Sequence, residues 1–367
     1  MIIGIDGFEA NQKIRVGSGQ YAFNLLTSLQ KIDHSNIYHI YLKDQPLTDM
    51  PPESTNWHYH VFGPKKMWTR FALPLRLLLN PDKIKLFYTP THYGPSFSFI
   101  PYIPTIHDIG YLQTPEQFTK KDYYQLKLWT SQSIRQASQI IAVSNFTKNE
   151  LIKTFASPQR ISIIENGVGD APSINKTTQE TILKKFNLAS PYFLSLGTLK
   201  PNKNYPFIIE GFAKFLSLSP KYQLVIAGKK GWLFDDIFKT VQQLGIEKQV
   251  IFTDYITETE KWALLSNAFV TVIPSLYEGF GIPALESQKV GVPVIASQIP
   301  SYQEVLGNSA LLVDPTNTQS LTESLVKICH KDTRQKIIDA GFANVKRYSW
   351  DKSAQKLIEV FSQFSAV

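Results

Sequence analysis

The stretch from Phe269 to Ser297, FVTVIPSLYEGFGIPALESQKVGVPVIAS, permits few folds. Val270 to Ile273 is short, apolar and β-branched, which reads as a buried strand. Pro274 and Ser275 end it. Tyr277-Glu278-Gly279-Phe280-Gly281 reads as a tight turn whose two glycines can take positive φ. Pro283 suits a first helical turn, where its missing N–H costs little. The helix continues through Ala284 to Lys289, Gly291 ends it, and Pro293 to Ala296 starts the next strand. Strand, glycine-rich turn, helix, strand is half of a parallel α/β sheet, with its ligand edge at the turn.

Glu278 in the turn and Glu286 about one turn into the helix lie eight residues apart. A helix N-terminus with exposed N–H groups favours an anionic ligand such as a phosphate. An ionised carboxylate at Glu286 then offers acceptors to both hydroxyls of a ribose, and Glu278 to hydroxyls beyond the phosphates. On the alternative reading, Glu278 is a solvated turn residue and Glu286 serves the helix dipole.

A chain of 367 residues suggests two domains, and 43% hydrophobic with 19% charged residues can bury a large core. No apolar run approaches the roughly 18 residues of a membrane span. Met1 leads straight into a strand without a basic region, so no signal peptide is expected. The single Cys329 excludes an intramolecular disulfide, and a cytoplasmic location is expected. A net charge of +8 suits anionic partners: diphosphates or an acidic membrane surface. Nucleic acid is not expected, because the Lys and Arg are scattered and no DNA- or RNA-binding motif occurs.

Along the chain, Ile2 to Asp6 reads as a strand, followed by a polar loop through Gly17-Ser18-Gly19 and a helix from Gln20 to Lys31. Ile37–Leu42, Trp57–Phe62, Leu86–Tyr88, Pro104–Ile106, Ile140–Val143 and Ile161–Ile164 read as further strands. The Lys65–Lys85 segment mixes Lys65, Lys66, Trp68, Arg70, Phe71 and Arg76 with leucines around Pro74. It is expected to form a kinked basic helix, either lying on an anionic membrane or simply packing. His107-Asp108 follows an apolar strand, Ser144 caps a helix through Thr154, and 169–178 is a polar linker. A second α/β half opens at Tyr192–Leu196, with later strands at Tyr222–Ala227, Val250–Phe252 and Leu311–Val313, and ends in helices including Trp350–Phe364.

The run E-G-F-G-I-P-A-L-E closely resembles the Glu-x7-Glu signature of the retaining family 4 glycosyltransferases, and the similarity extends over nearly the whole chain. The resemblance implies the GT-B fold: two doubly wound, Rossmann-like α/β domains facing a central cleft. The domains are expected at 1–170 plus 350–367 and at 178–349, with Gly17, His107, Lys203 and Glu278 lining the cleft. It further implies a nucleotide-sugar donor, with Glu286 on the ribose, Glu278 on the donor sugar, and Gly279, Phe280 and Gly281 forming the turn. Gly17, Gly19 and Tyr21 match the family's G-x-G-x-Y loop, whose backbone approaches the donor phosphates. His107 matches the His that faces the donor sugar, and Asp108, Tyr21 and Tyr111 are carried as acceptor-side residues. Gly197-Thr198-Leu199-Lys200-Pro201-Asn202-Lys203-Asn204 matches G-x-L-x-P-R-K-N, except that Asn202 replaces the usual Arg. Lys203 is therefore the diphosphate cation, with Thr198 beside it, and Ile256 lies by the base. The glutamate and N-G-V pattern at 165–168 resembles the family's hinge.

The expected activity is metal-independent transfer of a hexose, mannose from GDP-mannose being the leading case, to a glycan or lipid-linked acceptor. His107, Glu278 and Lys203 are the catalytic candidates. No Asp-x-Asp triplet supplies a metal, and no cofactor is expected beyond the donor itself. Two rivals stand beside this. One is a noncatalytic sugar-nucleotide-binding protein of the same fold. The other is a Rossmann oxidoreductase, disfavoured because the loop from Asp6 to Gly17 is too long for its glycine fingerprint.

Overall fold

The computed structural model describes residues 1–155, 160–188 and 191–365. The chain divides into two compact units. Unit 1 comprises Met1–Pro115, Lys120–Gly167 and Tyr348–Val367, and unit 2 comprises Glu116–Thr119 and Val168–Arg347. The expected linker at 169–178 is shortened, because Asn175 caps a helix over Lys176–Lys185 by accepting from Thr178 N at 2.8 Å.

In unit 1 the strands are β1 (Ile2–Asp6), β2 (Ile37–Leu42), β3 (Trp57–Val61), β4 (Leu86–Thr89), β5 (Tyr102–Ile106), β6 (Gln139–Ala142) and β7 (Arg160–Ile163). They form one parallel sheet in the order β3-β2-β1-β4-β5-β6-β7. β4, β5 and β6 are buried along their whole length. A parallel sheet covered on both faces needs such continuous apolar runs rather than alternation.

Unit 2 repeats the plan with β8 (Tyr192–Leu196), β9 (Gln223–Ala227), β10 (Val250–Asp254), β11 (Val270–Ile273), β12 (Val294–Ser297) and β13 (Leu311–Val313). Their order is β10-β9-β8-β11-β12-β13, again parallel. One core gathers Phe193, Phe212, Phe215, Leu224, Leu321 and Leu325; a second gathers Leu194, Val225, Trp262 and Leu264. Each such side chain contributes roughly 1.5–3 kcal/mol on full burial. In each sheet the winding direction reverses once, between β1 and β4 and between β8 and β11. Ligands of open α/β sheets bind outside the carboxyl ends of the strands at such a reversal.

The last helix, Trp350–Ser362, packs on Ser18–Ile32 of unit 1, with Lys31 Nζ 2.7 Å from Asp351 Oδ2. Ser353 Oγ donates to the carbonyl of Glu165 at 2.6 Å.

The Lys65–Lys85 segment differs from expectation. Only Ala72–Leu79 is helical, and Pro74 falls in its first turn, where it introduces no kink. Trp68 is buried, Lys65 pairs with Asp44, and the Arg70 guanidinium stacks over Trp129 at 4.3 Å. Arg76 forks onto Asp82 at 2.8 and 3.0 Å. Much of the segment's positive charge is thus spent inside the unit, while Phe71, Leu75, Leu78 and Leu79 remain exposed along one helical stripe. Among the described residues no helix is long and apolar enough to cross a membrane.

Candidate active site

In unit 2, Thr198 and Lys203 follow β8 and the Glu278 turn follows β11, the two strands between which the winding reverses. β8 ends at Leu196 and runs through Gly197 and Thr198 into a 3-10 turn, Pro201–Lys203. Gly228, after β9, takes φ +159°, and a Cβ there would lie 2.0 Å from the carbonyl oxygen of Gly197. Only glycine lets these two strand ends close together. Tyr205 Oη donates to the Gly197 carbonyl at 2.7 Å and holds the turn from below. Asn202, in place of the expected Arg, stitches this turn to the next: its carbonyl accepts from Leu276 N at 2.8 Å, and its amide reaches the Tyr277 carbonyl at 3.4 Å.

The turn after β11 carries Glu278 to Lys203, and the two form a hydrogen-bonded ion pair. Their side chains are only 18% and 17% exposed, so the charges are largely desolvated. Burial pushes the Glu278 carboxyl up, but the Lys203 charge and hydrogen bond, with Lys200 beyond, outweigh it and hold the group below its ordinary value. Gly281 caps the helix Ile282–Lys289 with φ +108°, and a Cβ there would meet the Tyr302 ring at 2.5 Å. Phe280 is buried behind the turn.

Glu286 is 7% exposed, on the first turns of that helix. Its Oε1 accepts from Lys261 Nζ at 2.6 Å, and Lys261 also lies 2.9 Å from Glu258. Burial raises the Glu286 carboxyl and Lys261 offsets this in part, whereas the two carboxylates hold the Lys261 ammonium above its ordinary value against burial. The Ile256 side chain packs against the second core and is partly exposed.

In unit 1, Gly17 takes φ +49° before the helix Ser18–Ile32, and a Cβ on Gly19 would press on the Glu9 carbonyl at 3.0 Å. His107 follows β5. Its Nε2 donates to the Pro90 carbonyl at 2.9 Å, which leaves Nδ1 as the acceptor nitrogen. Burial pushes its pKa down, with the Pro90 hydrogen bond and Asp108 opposing, which favours the neutral imidazole. Nearby His92 is pushed down to about 3 by burial and by His107.

Two acceptor-side expectations change here. Tyr21 is 1% exposed; its hydroxyl meets Tyr88 Oη at 3.2 Å and its ring meets His107 edge-on at 4.6 Å. It buttresses the histidine from within the core instead of facing a ligand. Tyr111 is likewise buried, and Asp108 uses Oδ1 to accept from Gly110 N at 2.9 Å.

Comparison with known proteins bears on the whole chain. The family model for glycosyl transferases group 1 matches residues 178–344, and that for glycosyltransferase family 4 matches 17–171. The O-antigen chain mannosyltransferase RfbU of Salmonella typhimurium is 31% identical over 78% of this chain and 75% of its own length. The chain belongs to glycosyltransferase family 4. A second relative, O-antigen chain mannosyltransferase B of Escherichia coli, is 28% identical over 74% of this chain and 73% of its own. Among solved structures, sucrose-phosphate synthase from Thermosynechococcus elongatus matches all of this chain and 99% of its own at TM-score 0.77 and 17% identity. Anabaena HepE, in complex with UDP and glucose, matches 98% of this chain and 99% of its own at TM-score 0.75 and 16% identity. These likenesses show the GT-B fold, and the chain is a glycosyltransferase.

Against the family 4 pattern, sequence reasoning missed Lys261, Tyr205, Gly228 and Tyr302. None sits in a motif; each meets the site only through the packing of separate helices and turns. Among the described residues, the side chains able to share a metal ion are His39, His60 and Asp82 in unit 1. Arg76 already places its guanidinium on that Asp82.

Proposed function

We propose that this glycosyltransferase moves a hexose, with mannose from GDP-mannose the leading case, onto a glycan or lipid-linked acceptor in surface polysaccharide synthesis. We further propose retention of configuration and no metal ion. The observation that carries the reading is the desolvated Lys203–Glu278 pair at the β8/β11 reversal, with the buried Glu286 on the helix that follows the same turn. The names of the O-antigen mannosyltransferase relatives support mannose and a polysaccharide product, while the UDP complex of HepE supports a nucleoside diphosphate donor.

In this reading Lys203 keeps one of its three N–H donors on Glu278 and turns another to the leaving diphosphate. The N–H groups at the start of Ile282–Lys289, with that of Thr198, supply the remaining stabilisation. Glu278 then lies by the donor sugar, where positive charge develops as the glycosidic bond breaks. His107 keeps Nδ1 as an acceptor of the kind a sugar hydroxyl needs. The leaving phosphate takes the acceptor's proton, so no protein nucleophile is assigned.

A thermal-shift screen of GDP, UDP and ADP sugars tests the donor. A ligand at 100 times its Kd adds about 2.7 kcal/mol. Absence of a shift with all three sinks the reading, and binding without transfer to any glycan acceptor favours the noncatalytic alternative. A peripheral position on an anionic membrane rests on the exposed Phe71, Leu75, Leu78 and Leu79 beside exposed Lys66, Lys83 and Lys85. Vesicle binding that is unchanged when all three lysines become serine removes the basic charges from it.

A further inference from the structure

We propose that Lys261 is a positioning residue that keeps Glu286 ionised and oriented for the donor's ribose diol. The inference rests on the reading of Glu286 as the ribose acceptor and adds a residue that the signature does not contain.

The helix Glu258–Asn267 starts at a fixed point. Thr257 and Glu260 form a capping box, and Lys261 N donates to the Thr257 carbonyl at 2.8 Å. Lys261 thus begins the second turn with its side chain 15% exposed, and its ammonium lies 2.6 Å from Glu286 Oε1 and 2.9 Å from Glu258 Oε2. Glu258 is half exposed and anchors the ammonium from the solvent side.

A carboxyl as buried as Glu286 ordinarily takes up a proton rather than stay charged. The charged groups that bear on it both come from this one helix: Lys261, which favours ionisation, and Glu258, which opposes it. A ribose diol presents two O–H donors, and only the ionised carboxylate is purely an acceptor. Its two oxygens offer about four lone-pair sites, so one taken by Lys261 still leaves room for both hydroxyls. Without Lys261, the same burial leaves a protonated acid that competes as a donor.

The test is calorimetric titration of GDP and UDP, and of their 2′-deoxy forms, into wild type, Lys261→Met, Lys261→Arg and Glu258→Gln between pH 6 and 9. Each variant is compared with wild type at the same pH, which removes the diphosphate's own titration. Lys261→Met is expected to bind the nucleotide roughly tenfold or more weakly at pH 6.5, with the deficit shrinking toward pH 9 as Glu286 ionises unaided. Its preference for ribo- over 2′-deoxynucleotide collapses at the lower pH and returns at the higher. Lys261→Arg keeps most of the affinity. Glu258→Gln, which removes the opposing charge, tightens binding at pH 6, and this second variant decides the matter if Lys261→Met does not fold. A pH-independent deficit with the ribose preference intact, or no deficit, overturns the proposal. If wild type binds none of these nucleotides, the donor reading itself fails, a result distinct from a wild type that binds and a Lys261→Met that binds equally.

Discussion

Lys203→Met leaves Glu278 charged and largely buried without its partner. Removing one member of a fully buried pair costs about 3–5 kcal/mol. Here 17% and 18% of the two side chains stay exposed, and solvent screening lowers the expected cost to about 2–3 kcal/mol. For a unit of this size that is a fall in Tm of about 5–10 °C. The pH dependence carries the diagnosis. In the wild type Glu278 is held below its ordinary value of 4.5, so the pair's stability is present above that pH and is lost as pH falls through the folded-state value. In the variant burial dominates and the carboxyl rises above 4.5. The folded state then binds its proton more tightly than the unfolded chain, and the penalty grows as pH rises. The Tm difference between wild type and variant is therefore smallest in acid, below the wild-type folded-state value, and grows with pH to a plateau near pH 8, as read by scanning calorimetry. Lys203→Met with Glu278→Gln removes the stranded charge and recovers most of the stability, though not the activity. A deficit that is flat with pH, or a double variant no more stable than the single, refutes the argument.

Further expectations concern the same machinery and its support. Glu286→Ala weakens binding of the free nucleoside diphosphate and raises donor KM, while Glu278→Gln leaves that affinity nearly unchanged and lowers kcat by up to about 3 kcal/mol of barrier. Titration and steady-state kinetics of both variants show which glutamate serves which group, and the opposite ranking reverses the assignment. Gly281→Ala combines a left-handed φ with a Cβ pressed on Tyr302, and loses about 2–4 kcal/mol by urea denaturation. Adding Tyr302→Leu returns only the steric part. In unit 1, His39 Nδ1 and His60 Nε2 meet at 2.5 Å. Burial holds both imidazoles below their ordinary value, with His58 and Arg76 adding and Asp82 opposing; His60 also lowers His39, and Glu53 opposes at His60. Their contribution is present above about pH 6.5 and lost as pH falls through the folded-state values. His39→Gln should flatten the decline in stability between pH 6.5 and 5 in urea titrations, and an unchanged slope removes the pair from the account.

Much of the fold was legible because parallel strands buried on both faces must be continuously apolar, and their turns need glycine or proline. Val270–Ile273, the glycine turn and the Pro283 helix follow from that requirement alone. The Lys65–Lys85 segment was misread for the complementary reason. Its leucines have helical spacing, but Trp68, Arg70 and Arg76 are taken up by Trp129, Asp82 and the core, partners remote in the chain that no local pattern announces. Tyr21 was assigned to a ligand from its place in a motif, whereas its ring and hydroxyl are enclosed by His107 and Tyr88.

The sequence by itself supplied the groups that the proposed chemistry uses: two carboxylates at a fixed spacing, a lysine after β8, a histidine after β5, and glycines where the backbone must turn sharply. These are local properties, set by φ, by residue type and by strand-to-helix turns within a few residues. Tertiary structure alone decided how those groups are charged. Glu278 lies below its ordinary value because Lys203, 75 residues away in the chain, closes on it. Glu286 lies above because its site is buried and Lys261, 25 residues away, offsets this only in part. Desolvation and Coulomb attraction depend on distance through space, and the strand order that brings β8 beside β11 sets that distance for the first pair, as the packing of the helices at Lys261 and Glu286 does for the second.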